Sequence, residues 1–238
     1  MLKINLHKMK KIIFIISIIH LPFYILHSSS FAQHNDAWQW TTLSIEKKIT
    51  PKMSVIVDEE LRLFNNISRI NLFYTNIGTS YKINNYFKVA GVYRWIEKSK
   101  PDGIYSSRHR FYIDAFFKYK YNPVTFVYRA RLQTQVRDIN SNEDGTVPES
   151  YWRSKFDFKF DLNRDYTPYI AAEFRYQFAN NRLMEANNTF DRGRYYIGCD
   201  YEINKRNSFG LYYMIQREFN VNDPETDYTI GLAYSLSL

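Results

Sequence analysis

The chain has 238 residues, of which 45% are hydrophobic and 18% aromatic, with a formal net charge of +8. Its mean hydropathy is nevertheless −0.46. This apolar content excludes a disordered chain, and the single cysteine excludes a disulfide scaffold or a cysteine-based zinc site.

Residues 1–32 read as a secretory signal peptide. Lys3, Lys8, Lys10 and Lys11 form a basic start, 12–19 is almost pure Ile and Phe, and Ser30-Phe31-Ala32 offers cleavage before Gln33. His20 and Pro22 break the apolar run short of a transmembrane helix. Without those four lysines, 28 basic residues face 24 acidic ones, so +8 becomes +4. That balance, with no concentrated basic block, removes support for a nucleic-acid partner. Residues 33–238 make the mature domain, in which no run of 18 apolar residues occurs.

The mature chain alternates with period two almost throughout. Candidate strands cover 38–49, 53–64, 69–82, 86–98, 108–121, 124–137, 152–162, 167–179, 190–203, 207–219 and 226–238. In 124–137, Val124, Phe126, Tyr128, Ala130 and Leu132 share one face, and Arg129, Arg131, Gln133 and Gln135 share the other. Soluble strands average about 5–6 residues, whereas a tilted membrane strand needs about 9–11. The connections alternate between short ones, such as Asn84-Asn85 and Asn122-Pro123, and longer polar ones, such as 98–104, 138–149 and 180–189. The expected fold is therefore all-β: a transmembrane, antiparallel, up-and-down barrel of about 10–12 strands. Its short turns face the periplasm and its long loops face outward. Tyr228, Ile230, Leu232, Tyr234, Leu236 and Leu238 carry the alternation to the last residue. This strand resembles the C-terminal signal read by the barrel-assembly machinery, an expected partner alongside outer-membrane lipid and lipopolysaccharide.

Two features strain the count. Eleven candidates conflict with the even number of bacterial single-chain barrels, so 38–49 is expected outside the wall, or one further strand is expected. Glu59 shares the apolar face of Val55, Val57, Leu61 and Leu63, so a bulge is expected near it.

Trp38-Gln39-Trp40, Glu46-Lys47-Lys48, Glu60-x-Arg62, Gly91-x-Tyr93-Arg94 and Arg108-His109-Arg110 together resemble a family of exported β-barrels found mainly in Bacteroidetes, domain of unknown function 2490. The resemblance implies an outer-membrane barrel and brings no activity, cofactor or catalytic residue.

The residues leave three functions open. His109 and Ser107 fall on the lipid-facing parity at an outer rim, the one arrangement that fits a lipid- or envelope-modifying enzyme. Residues at i and i+2 stand roughly 7 Å apart at the backbone, and no orienting third group is legible. Asp138, Glu143, Asp144 and Glu149 cluster in the longest loop, where acidic residues are ordinarily solvated, and Cys199 is a small apolar wall residue. Neither a metal site nor a cofactor is expected. The inward parity carries Arg94, Arg108, Arg110, Lys118, Lys120, Arg129, Arg131, Arg137, Arg153, Lys155, Lys159, Arg175 and Arg194. Facing them are fewer acids, among them Glu60, Asp114, Asp157, Asp161, Glu173, Asp200, Glu202 and Glu218. Such a lumen is either a salt-bridge lattice closing a structural or binding barrel, or a narrow basic pore for small anionic solutes.

Overall fold

The computed structural model describes residues 35–100, 102–137, 148–162, 165–180 and 184–238. The expected leader, and the loop acids Asp138, Glu143 and Asp144, lie outside them. Eleven strands follow in chain order: β1 (Asn35–Lys48), β2 (Met53–Phe64), β3 (Arg69–Lys82), β4 (Phe87–Ser99), β5 (Tyr105–Tyr121), β6 (Val124–Arg137), β7 (Glu149–Phe160), β8 (Tyr166–Ala179), β9 (Thr189–Glu202), β10 (Asn207–Glu218) and β11 (Thr226–Ser237). They form one closed barrel.

The seam resolves the count. The 38–49 segment is in the wall, as β1, paired antiparallel to β2 and parallel to β11. Every other neighbouring pair is antiparallel. An even count follows only when the first and last strands run in opposite directions. Here β1 starts at the end of the barrel that carries the longer connections and β11 starts there too, so an odd number closes with one parallel pair. Asp36 fixes the start of β1: its carboxylate accepts the backbone N–H groups of Asn65 and Asn66 at 2.9 and 2.8 Å. At the other end Lys48 N–H donates to the Leu238 carbonyl at 3.0 Å, and Leu238 N–H to Glu46 at 2.8 Å.

The short connections have local causes. The Asn84 side chain accepts the N–H groups of Tyr86 and Phe87, both at 2.8 Å, and Asn204 accepts those of Arg206 and Asn207 at 2.9 and 3.0 Å. These are Asx turns, in which the side chain replaces a turn hydrogen bond.

Alternation sorts the wall. Ile77, Phe111, Ile113, Ile197 and Leu211 are exposed on the outside, and aromatic pairs such as Phe126–Phe158 and Tyr166–Tyr201 run across it at 5.2 and 4.8 Å between ring centroids. Trp95 and Trp152 are also exposed there. Tyr74, Arg94, Tyr112, Asp114, Arg131 and Glu173 are buried inside.

The bulge expected at Glu59 lies elsewhere. The register shifts between Arg62 and Leu63, and Glu59 stays on the outer face, where the Thr75 hydroxyl lies 2.9 and 3.0 Å from its two carboxylate oxygens. A carboxylate on an otherwise apolar outer face is unfavourable where such a face meets lipid, less so than Arg or Lys. Glu59→Leu is therefore expected to raise unfolding stability in lipid by about 1 kcal/mol, read from urea midpoints. A loss of stability would mean that Glu59 serves an attachment on the wall.

Candidate functional site: a filled lumen with a basic mouth

Charged and aromatic side chains meet inside the barrel, positioned by the inward parity of strands that lie far apart in sequence. On the β1–β3 side, Glu60 accepts Arg62 Nε at 2.5 Å and the Thr42 hydroxyl at 2.9 Å. The Arg62 guanidinium lies flat over Trp40, 3.5 Å from the ring centroid. Arg94 repeats the arrangement over Tyr74, also at 3.5 Å, and its Nε donates to Asn76 at 2.7 Å. Asn76 donates in turn to Asp58 at 2.9 Å. Guanidinium planes suit this stacking because they are weakly hydrated and delocalised.

On the β5–β6 side, Arg131 forks onto both oxygens of Asp114 at 2.7 Å and covers Tyr112 at 3.8 Å. Arg110, opposite Arg94 in register, is held by an amide: Gln135 accepts it at 3.0 Å from Nε and 2.5 Å from Nη2. Arg108 lies two residues away on the same inward stripe.

The centre is Glu173 on β8, which is 3% exposed. It takes Arg129 from β6, Arg153 from β7 with Nε at 3.1 Å, and Arg194 from β9 at 3.2 Å. Towards the long-connection end, Arg175 pairs with Asp191 at 2.8 Å and covers Tyr151 at 4.4 Å. Glu149, expected in the acidic loop, is instead the first residue of β7, buried, and accepts Gln135 and the Tyr151 hydroxyl at 3.2 Å each. Strand pairing extends further into that loop than its polar composition indicated.

At the short-turn end the lumen widens into a cavity of about 610 Å³. Its floor carries Arg129, with Lys155 on Asp157 at 2.7 Å and Lys159 on Asp200 at 2.8 Å. Beside it Lys120, near the end of β5, contacts Asp161 of the β7–β8 turn at 2.7 Å. That hydrogen bond holds the Asp161 carboxyl below the usual carboxylate range.

The structure places Ser107 and His109 on the outer face of β5, but not as a nucleophile and base. The Ser107 hydroxyl donates to Glu97, and His109 Nδ1 lies 2.6 Å from the Tyr93 hydroxyl. Each member of the expected pair is thus engaged with a different strand-β4 partner. Among the described residues no group of three His, Cys, Asp or Glu side chains is arranged to hold a metal ion.

Sequence reasoning missed Trp40, Tyr74, Tyr196, Tyr212 and Met214 as lumen residues. The signal was present, since each shares parity with inward charges. Counting aromatics as wall residues hid it.

The barrel is closed, apolar outside and charged inside, and its class is that of single-chain β-barrels with a packed interior. A family model described as protein of unknown function (DUF2490) matches residues 38–227, and the chain belongs to that family. In fold it is similar to the NanC porin, with a TM-score of 0.53 and 13% identity over 85% of this chain and 99% of that one. It is also similar to the β domain of the Bordetella autotransporter BrkA, with a TM-score of 0.51 and 9% identity over 80% of this chain and 86% of that one. No curated protein matches the chain.

Proposed function

We propose that this chain is an outer-membrane β-barrel closed by its own side chains, with a structural or binding role and no conduction. The observation that carries the reading is the middle of the lumen: Trp40, Tyr74 and Tyr112 are each 5% exposed and Met214 is 0% exposed. Side chains of this size, almost wholly buried, occupy the middle of the lumen. Eight strands are just filled by side chains and sixteen enclose an open channel; eleven strands filled by Trp, Tyr and stacked Arg fall on the closed side.

The exposed apolar outer face supports the membrane placement, because a water-soluble barrel would not present Phe111 and Ile113 of β5 beside Leu132 of the adjacent β6. The short turns then face the periplasm, and β11 is the strand offered to the assembly machinery.

The basic mouth favours a second reading, a narrow pore for small anions of the kind that a porin relative in fold brings to mind. Planar-bilayer recording separates the two. The closed barrel is expected to give no steady current. Steady current with an anion-selective reversal potential would replace it with the pore.

A further inference from the structure

The cavity at the short-turn mouth is the most charged surface of the barrel that the lumen lattice does not use. Eight cationic side chains and two carboxylates line it. Three of the cations are ion-paired, Arg129 with Glu173, Lys155 with Asp157 and Lys159 with Asp200, and Lys88 lies over the Phe116 ring at 4.9 Å. The other five are Lys48, Lys52, Lys82, Lys88 and Lys118, contributed by β1, the β1–β2 turn, β3, β4 and β5. None of the five has a carboxylate within ion-pair distance among the described residues, and Glu46 is the one lining carboxylate left to balance them.

Five ammonium groups around one concave space repel each other. The barrel wall is of low dielectric, so their field is focused into the cavity rather than spread through solvent. Only a mobile anion neutralises them there. Lysine supplies point charges on flexible stems and not the planar fork that suits one fixed carboxylate. That favours a compact anion of high charge density, which several lysines approach from different sides. The five lysines line one cavity at the barrel mouth, which a soluble ligand reaches along the axis.

We propose that this vestibule is a binding site for a soluble phosphoryl polyanion bearing several negative charges. The site goes beyond the closed-lumen reading and does not depend on it.

Tripolyphosphate titrated into the full chain in neutral detergent, followed by calorimetry, tests the site. Saturable binding to one site is expected. The pair Lys82→Glu and Lys118→Glu should weaken it at least about tenfold, equivalent to about 1.4 kcal/mol. Lys47→Glu on the outer face of β1 makes the same charge change per residue and should alter affinity by less than about twofold. Gel migration that changes on boiling establishes that each variant is folded. If the Glu pair does not fold, the milder pair Lys48→Gln and Lys52→Gln, at the turn, should weaken binding several-fold. Absence of saturable binding, or equal weakening by Lys47→Glu, overturns the proposal. The result is independent of bilayer current: a silent barrel that ignores tripolyphosphate sinks only the vestibule, and a conducting barrel that binds it sinks only the closed lumen.

Discussion

Glu173→Gln is expected to destabilise the barrel by about 3–5 kcal/mol, the range for removing one partner of a buried ion pair. Glu173 is the shared acceptor of Arg129, Arg153 and Arg194, which come from three different strands. The amide keeps the shape and one acceptor oxygen but leaves buried guanidinium groups without their counter-charge. The loss is read from urea unfolding of the folded barrel in lipid, as a lower midpoint at unchanged slope. Adding Arg153→Met to Glu173→Gln should recover part of it, because the two residues share one network and their effects are not additive. A loss below about 1 kcal/mol would match the value of a solvated pair and would mean that water reaches Glu173.

Gly231→Ala is expected to be nearly as damaging, for a steric reason. Gly231 sits on the inward face of β11, and the Tyr212 ring of β10 lies across it. A Cβ built there falls 1.9 Å from Tyr212 Cζ and 2.2 Å from Cε1. No rotation of the methyl avoids the ring, so Tyr212 must leave its place in the lumen. Overpacking of this kind costs about 1–3 kcal/mol or more. The double variant Gly231→Ala with Tyr212→Ala should unfold closer to Tyr212→Ala alone than to the sum of the singles, which separates a clash from a backbone effect. Additive losses would contradict the packing.

The sequence made the wall legible and the interior only partly so. Alternation placed the ends of β2, β3 and β6 where the structure has them, because each is bounded by turn residues. The seam was not legible. Whether a barrel closes on ten, eleven or twelve strands depends on whether and how β1 meets β11, and that parallel pairing joins residues nearly 200 positions apart. Glu59 misled for a similar reason, since its neighbour across the ladder, Thr75, gives an outward carboxylate a donor without any change of register.

The partners inside the lumen were equally hidden. Arg129 on β6 reaches Glu173 on β8 across the intervening strand, a contact fixed by strand tilt and barrel radius. Parity states which residues face inward, but not which inward residues meet. The difference between a lattice and an open basic pore is such a question of meeting, and it rests on aromatics that a strand-by-strand reading assigns to lipid.

Planar-bilayer recording of the refolded chain, beside the variant Trp40→Ala/Tyr74→Ala/Tyr112→Ala, tests the closed lumen most directly. The account predicts no steady current from the wild-type barrel and measurable current from the triple variant, with both migrating as folded barrels before boiling. Steady wild-type steps at the size of the triple variant's would contradict it.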